Sequence, residues 1–384
     1  MNPVLAGIAP SIIRAINARK RPGDVDLGLG EPTLRPDPRP FEAAAAWVRE
    51  HGCPYTANAG FARLREQIAA YAGLPERGAA ENAVVTVGSE EALYLGIKAL
   101  LDPARDEALV VEPCYLAYPK LCALEGVRHR MVAMDAADGF RPSAARVLEA
   151  LRPETRLVIL NSPNNPTGRT WPEAELRALA EGLAARPGEP VWVLSDEVYR
   201  ELYFTGTPPV SIGALWPHAL VAGSLSKSNA LTGLRLGWLV GDAEVIAAAI
   251  KAHQLVNTAA STFSQVVAME VFRDPATLSA HRPHYTERRA LLAGLMELHG
   301  LEWLPPEGAF YCMVRLPERW AADSLGAAEA LLERHRVLAT PGVAFGDSGE
   351  GWLRLSWVAE PDALRAGIER IAEFFAHSLP RDSD

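Results

Sequence analysis

Lys227 lies in the stretch Gly223-Ser224-Leu225-Ser226-Lys227-Ser228-Asn229-Ala230-Leu231-Thr232-Gly233-Leu234-Arg235-Leu236-Gly237, directly after the apolar run Ala219 to Ala222. That pattern reads as a buried strand delivering a loop. A lysine amine kept partly neutral forms a Schiff base with an aldehyde. Ser224 and Arg235 add a hydroxyl donor and a planar cation, groups that suit a phosphate. A single lysine in a Gly/Ser loop is ordinarily a solvated surface residue; the company it keeps elsewhere distinguishes this one.

That company consists of residues at strand ends and helix starts. Val191-Trp192-Val193-Leu194 runs into Ser195-Asp196-Glu197-Val198-Tyr199, which puts Asp196 where ligands bind in open α/β sheets. Leu157 to Leu160 runs into Asn161-Ser162-Pro163-Asn164-Asn165-Pro166-Thr167-Gly168, a proline-stiffened loop with an uncharged hydrogen-bonding side chain at Asn165. Asn82 to Val87 is strand-like, and Gly88-Ser89-Glu90-Glu91 then opens a helix expected over Ala92 to Leu101. Exposed amides at such a start make an anion site, although on this segment alone an ordinary N-cap serine followed by first-turn acids is the better reading. Tyr115 follows the strand Ala108 to Val111 and could offer a ring face, or only packing.

Pyridoxal 5'-phosphate would use all of these groups. Its aldehyde would take Lys227. Its phosphate would take the amides at Gly88, Ser89 and Glu90, the hydroxyls of Ser224 and Ser226, and Arg235. Tyr115 would stack on the ring, while Asn165 and Tyr199 would donate to the phenolic oxygen and so favour the unprotonated imine. Asp196 would keep the pyridine nitrogen protonated, so that the ring acts as an electron sink.

The elements that must position these residues alternate between strand and helix from about Asn82 to Val240, which predicts a parallel sheet covered by helices. Before it come an amphipathic helix over Ile8 to Arg19, an extended Asp24 to Pro32 ending in Gly-Glu-Pro, prolines at 36, 38 and 40, and helices over Phe41 to Glu50 and Phe61 to Tyr71. Gly28 and Gly30 lack the third glycine and following helix of a dinucleotide fingerprint. After Asp242 the chain turns helical, with a long helix over Arg282 to Leu298. Strands at Gly308 to Val314 and Leu353 to Trp357 then flank a helix over Ser324 to His335, and Pro380 to Asp384 is expected to fray. This second part predicts a smaller α+β lobe.

Composition limits the alternatives. A chain of 384 residues can bury a large core in two lobes. A net charge of −9 argues against non-specific nucleic-acid binding. Cys53, Cys114, Cys122 and Cys312 are scattered, and no signal peptide is evident, which predicts reduced thiols and a cytoplasmic protein. No stretch approaches the roughly 18 uninterrupted apolar residues of a membrane span; Leu236 to Ile250 comes nearest and is broken by Gly241, Asp242 and Glu244. No metal site is expected.

Ser-Pro-Asn-Asn-Pro-Thr-Gly at 162–168, Ser-Asp-Glu-Val-Tyr at 195–199, Ser-Leu-Ser-Lys at 224–227 and Thr-Gly-Leu-Arg-Leu-Gly at 232–237 resemble, in order and spacing, the class I/II aminotransferases of fold-type I. The likeness runs from about Leu27 to Trp357. It implies an α/β fold with a mostly parallel, helix-covered sheet in a large cofactor domain (residues 41–280) and a smaller α+β domain from both termini (1–40 and 281–384). It also implies a homodimer with amino acid and 2-oxo acid substrates. Arg354 resembles the arginine that grips the substrate α-carboxylate, and Gly30 the glycine whose amide touches the same group. Tyr55 resembles the tyrosine that reaches the neighbouring subunit's phosphate. Lys227, Asp196 and Tyr199 would be catalytic, and Asn165 would touch both cofactor and substrate.

The expected reaction is a ping-pong transfer between an L-amino acid and a 2-oxo acid, with 2-oxoglutarate or pyruvate as acceptor. Glu90 stands where a lysine would help a dicarboxylate, which favours neutral or aromatic donors; Arg35 is a candidate cation that reads more simply as a solvated linker residue. Two alternatives stay open. A cysteine-S-conjugate β-lyase could use the same lysine. A ligand-sensing domain of a transcriptional regulator is disfavoured, because the likeness begins by residue 27 and leaves no room for a winged helix.

Overall fold

The unbroken apolar runs become interior strands. In the computed structural model, which describes residues 3–74 and 79–377, a short strand β1 (Val25–Asp26) precedes the main sheet. Strands β2 (Ala83–Thr86), β3 (Glu107–Glu112), β4 (Arg128–Ala133), β5 (Thr155–Asn161), β6 (Trp192–Asp196), β7 (Ala219–Ser224) and β8 (Gly237–Val240) then form that sheet in the order β2-β8-β7-β6-β5-β3-β4. The expected fraying over Pro380 to Asp384 lies outside the described residues.

Neighbours in this sheet run parallel except around β8, which is antiparallel to both β2 and β7. The exception has a local cause: residues 225–236, which join β7 to β8, contain a 3-10 turn at Thr232–Leu234 and no α-helix, whereas a parallel neighbour is usually reached by a helical crossover. Strand β4 lies at the sheet edge with Val132 its one buried residue, so it lacks the apolar run that marks an interior strand.

Both faces of the sheet are covered, as the continuous runs demand. In β5, Leu157 and Ile159 pack with Leu93, Leu95 and Ile97 of the helix Ser89–Leu100 and with Ile246 of the helix Ala243–Asn257. Val158 and Leu160 face the other way, towards Val147, Leu176 and Leu179. This alternation fixes the register, because a one-residue slip would exchange the two faces. It brings Asn161 and Asp196 level at the carboxyl ends of β5 and β6.

Beyond the main sheet, β9 (Trp303–Leu304), β10 (Tyr311–Arg315), β12 (Thr340–Pro341) and β13 (Trp352–Ser356) make an antiparallel sheet in the order β12-β13-β10-β9. Strand β11 (Val337–Leu338) pairs in parallel with β1. Leu27 is buried here: its N–H donates to Leu338 O at 2.9 Å, and its carbonyl accepts the Ser356 N–H at 2.7 Å. The helix Pro361–Ala376 presents Leu364, Ile368, Ile371 and Phe375 to the same core at helical spacing, each side chain contributing about 1.5–3 kcal/mol of burial. So clamped, the chain after Leu27 carries Gly28 to Gly30 towards the mouth of the main sheet.

The expected single helix over Ile8 to Arg19 is instead two short ones, Pro3–Gly7 and Ile12–Asn17. Pro10 explains the break, since a proline pushes the residue before it out of the helical region. Ser11 then caps the second helix by accepting the Arg14 N–H. Among the described residues, no helix is long and apolar enough to cross a membrane.

Candidate active site

The carboxyl ends of β5 and β6, the start of the helix Ser89–Leu100, the Lys227 loop and the segment Gly28 to Glu31 surround one cavity of about 690 Å³. Of the residues predicted from the sequence, Gly30, Ser89, Glu90, Tyr115, Asn165, Asp196, Tyr199, Ser226, Lys227, Arg235 and Arg354 line it. Gly88, Ser224 and Tyr55 do not. Gly88 and Ser224 stand just behind lining neighbours, whereas Tyr55 projects into solvent at 88% exposure.

Asp196 forms the floor. It is 4% exposed, and its carboxylate accepts hydrogen bonds from the Tyr118 hydroxyl at 2.8 Å and the Val198 N–H at 3.1 Å. Burial pushes its carboxyl up to about 6; the two hydrogen bonds and the charge of Lys227 pull it down, while neighbouring Glu197 pushes it up. Asn161 braces the same strand end by donating to the Asp196 carbonyl at 2.8 Å and accepting the Asn165 N–H at 2.7 Å.

Lys227 follows β7 and is half-buried, its Nζ donating to the Gly30 carbonyl at 2.9 Å. Behind it, the Ser224 hydroxyl donates to the Leu236 carbonyl at 2.8 Å and lies 2.6 Å from the Ser226 hydroxyl. Ser224 is therefore engaged within its own loop, and Ser226 is the hydroxyl on the cavity wall.

At the end of β2 the backbone turns through Gly88, with φ +80, into the helix. A Cβ there would lie 2.5 Å from Arg235 Nη2, so only glycine lets this guanidinium close on the turn. Arg235, itself left-handed at φ 48, donates to the Thr232 carbonyl at 3.2 Å. Free first-turn amides beside a guanidinium form a cradle for a phosphate-sized anion.

The opposite wall belongs to Arg354. This buried guanidinium donates to Asn165 Oδ1 at 3.1 Å, to Thr340 Oγ1 at 3.0 Å and to the Gly28 carbonyl, while its Nε has no partner among the described residues. It stands over the Tyr311 and Phe345 rings at 4.3 and 4.9 Å, and burial lowers its affinity for a proton. The Tyr311 hydroxyl is 3.1 Å from that of Tyr199. Burial raises the Tyr199 pKa, and contact with Tyr311 raises it further. A Cβ at Gly30 would overlap the Tyr311 hydroxyl.

Several lining residues carried no sequence assignment: Tyr118, Asn161, Tyr311, Glu31 and Arg14 among them. Tyr118 lies three residues beyond Tyr115, and the two rings meet edge to face at 5.9 Å, but that spacing does not reveal its bond to Asp196. Arg14 comes from the second amino-terminal helix and supplies a cation that no motif marks. Glu31 accepts a 3.1 Å hydrogen bond from Thr232.

Chemically, the site combines an amine, a buried carboxylate, an anion cradle and a carboxylate-sized arginine pocket. Residues 24–371 match the family described as aminotransferase class I and II. An arginine–pyruvate transaminase from Pseudomonas aeruginosa is 37% identical over 76% of this chain and 74% of its own length. An aspartate/prephenate aminotransferase from Thermus thermophilus is 34% identical over 94% of this chain and 95% of its own. The structure of a Thermus thermophilus aspartate aminotransferase with maleate superposes with a TM-score of 0.90 at 32% identity, covering 97% of this chain and 99% of the other.

Proposed function

The chain belongs to the aminotransferase class I and II family, and on that footing we propose that it exchanges an amino group between an L-amino acid and a 2-oxo acid by ping-pong turnover, using pyridoxal 5'-phosphate. The observation that carries this reading is the meeting of Lys227, buried Asp196, the Gly88–Ser89 turn with Arg235, and Arg354 around one cavity. Bound there, the cofactor supplies an aldehyde that captures primary amines and a ring that takes up the electron pair released at Cα.

The residues present fit that cofactor. The Ser89 and Glu90 amides, Ser226 and Arg235 would hold its phosphate, with Gly88 giving the guanidinium access. Ser224 would act through Ser226, to which it is bonded. Asp196 would hold a proton on the pyridine nitrogen, Tyr115 would cover a ring face, and Asn165 and Tyr199 would orient the phenolic oxygen.

Lys227 Nζ would anchor the cofactor and then carry the proton removed from the donor's Cα. Arg354 would bind the α-carboxylate bidentately, using Nε, which is now without a partner, beside an Nη. Gly30 would add its amide, and the Gly30 carbonyl that holds Lys227 gives the amine a resting position. For the donor's side chain the reading favours a neutral or aromatic group: with Lys227 and Arg235 given to the cofactor and Arg354 to the α-carboxylate, Glu31 and Glu90 outnumber the remaining lining cation, Arg14. The acceptor would be 2-oxoglutarate or pyruvate.

The working unit would be a homodimer with Tyr55 serving the partner's phosphate. Its exposure supports this, as do exposed Leu255 and Val256 on the helix whose end the Tyr55 loop contacts. The pairing of β1 with β11 supports a smaller domain built from residues 1–40 and 281–384 against a cofactor domain of 41–280. Four unpaired cysteines support a cytoplasmic setting.

The test is a visible spectrum of the purified protein with pyridoxal phosphate while amino acids are added singly, without any oxo acid. Conversion of the yellow form to pyridoxamine phosphate by particular amino acids is expected, and their order ranks the donors. A protein that takes up no chromophore from added pyridoxal phosphate would sink the reading.

A further inference from the structure

Behind the cradle, and outside the cavity, lies a cluster of Glu91, buried His253 and Asn257, the last at an exposed helix end. Glu91, in the first turn of the helix Ser89–Leu100, reaches back with Oε2 to accept the N–H of Val87, the residue before Gly88. Its other oxygen, Oε1, accepts from His253 Nδ1 at 2.7 Å and from Asn257 Nδ2 at 2.6 Å. His253 and Asn257 stand one turn apart on the helix Ala243–Asn257, which packs along the first helix. His253 is 0% exposed, and its Nε2 has no partner among the described residues.

The arrangement is directional. Burial by itself would raise the Glu91 carboxyl; the hydrogen bonds from His253, Val87 and Asn257 outweigh it and hold the group below its usual range. Glu91 is thus a carboxylate, and His253 donates to it through Nδ1–H. A carboxylate in a first helical turn is drawn to that turn's free N–H groups, and those are the amides a phosphate needs. With Oε1 held by two donors from another helix and Oε2 on Val87, Glu91 cannot swing onto them.

Asn257 extends the linkage. The next residue, Thr258, accepts the Asn58 side-chain amide on its carbonyl at 2.8 Å, so the loop carrying Tyr55 hangs from the same helix end.

We propose that Glu91, His253 and Asn257 are positioning residues for phosphate binding: they lock the turn at Val87–Gly88 and keep a first-turn carboxylate off the anion cradle. This rests on the reading that the cradle takes the phosphate of pyridoxal phosphate. It assigns a role to residues that touch neither cofactor nor substrate.

The test compares binding of pyridoxal phosphate and of pyridoxal, which lacks the phosphate, to the apoprotein of wild type, His253→Ala, His253→Asn and Asn257→Ala, followed by visible absorbance. His253→Ala should weaken pyridoxal phosphate by about tenfold, the scale of one buried hydrogen bond to a charged group, with pyridoxal changing less than about twofold. Asn257→Ala, at an exposed helix end, should show the same selectivity with a smaller loss, and remains informative should His253→Ala fold poorly. His253→Asn, whose amide nitrogen mimics Nδ1, should recover most of the affinity.

Equal weakening of both ligands would overturn the proposal, because a merely structural role predicts that. Amide hydrogen exchange supplies a second readout. Exchange at Val87 to Glu90 should quicken in the His253→Ala apoprotein, and unchanged exchange would overturn the brace even in a protein that binds no pyridoxal phosphate. Failure of the wild type to bind that cofactor would instead sink the reading of the site.

Discussion

The hydroxyl of Tyr118 donates to the carboxylate of Asp196 at 2.8 Å, and both side chains are buried at the carboxyl end of β6. That single bond, with the Val198 N–H, is what this carboxylate receives in exchange for its hydration, and its pKa stays raised to about 6 from 3.8. A carboxyl that holds its proton more tightly when folded contributes stability below its unfolded pKa and loses it as pH rises through the folded one. The window here runs from about 4 to about 6, and a rise from 3.8 to about 6 corresponds to about 3 kcal/mol. Asp196→Asn, which keeps an acceptor for Tyr118 without the charge, should make the apoprotein about 2–3 kcal/mol more stable at pH 8. Its advantage should fade as the pH falls through 6 towards 4. Urea unfolding of both apoproteins across pH measures this; an advantage independent of pH would show that the charge of Asp196 is not the cause.

The same aspartate predicts opposite effects on stability and on activity. On the proposed reading, Asp196→Ala should lose most turnover because the group that would hold the ring-nitrogen proton is gone, and Lys227→Ala should lose at least about a thousandfold, since the proposed anchor and proton carrier disappear together. Single-turnover spectra with a ranked donor measure both. Near-wild-type rates for Lys227→Ala would remove the lysine from the mechanism.

Arg354 makes a geometric prediction. Its planar fork is held by Asn165, Thr340 and Gly28 on one side, leaving Nε without a partner. Arg354→Lys keeps the charge but not the fork, so KM for the donor should rise at least about tenfold while the affinity for pyridoxal phosphate stays within about twofold. Steady-state kinetics beside a cofactor titration separates the two. A parallel loss of cofactor affinity would place Arg354 in the architecture of the site rather than against the substrate.

Much of this site was legible because its groups sit at sequence landmarks. Asp196 and Asn165 follow fully apolar strands, Lys227 follows another, and Ser89 opens a helix, so local pattern alone put them at one end of a sheet. Tyr118 was not legible: it occupies the first turn of a helix, and only the adjacency of β3, β5 and β6 brings it over Asp196. Arg14 was hidden for a related reason, because the helix that carries it is short, begins after a proline break and reaches the cavity through tertiary packing. The edge strand β4 and the antiparallel β8 escaped because neither carries its own signature. One is too polar for an interior strand, and the direction of the other follows from the missing crossover.

Tyr55 tests the assembly. It is 88% exposed and absent from its own cavity wall, while hydrogen bonds from Thr262 to the Pro54 carbonyl and from Gln265 to Thr56 hold its loop in place. An ordered loop presenting a bare tyrosine suits a site completed by a second copy. Tyr55→Phe should weaken pyridoxal phosphate binding about three- to tenfold, the net scale of one ordinary hydrogen bond, and leave the oligomeric mass by light scattering unchanged. A monomeric wild type with full activity on dilution would refute the shared site.

Substrate choice should follow the charges on the cavity wall. Glu90 and Glu31 face the same space as Arg14, and none of the three side chains forms an ion pair among the described residues. With Lys227 and Arg235 assigned to the cofactor and Arg354 to the α-carboxylate, a second carboxylate on the donor would meet two like charges against one opposite charge, each interaction worth about 1 kcal/mol or less across solvent. Neutral and aromatic donors avoid that repulsion, so the wild type should prefer them to aspartate in kcat/KM. Glu90→Lys reverses one of the charges. It should raise the aspartate-to-neutral ratio of kcat/KM by about tenfold or more, most strongly at low salt, where exposed charges are least screened. Arg14→Ala should move the same ratio down, with the neutral donor changing less than about twofold. A wild-type preference for aspartate, lost in Arg14→Ala, would make Arg14 the dominant determinant and overturn the assignment of neutral and aromatic donors.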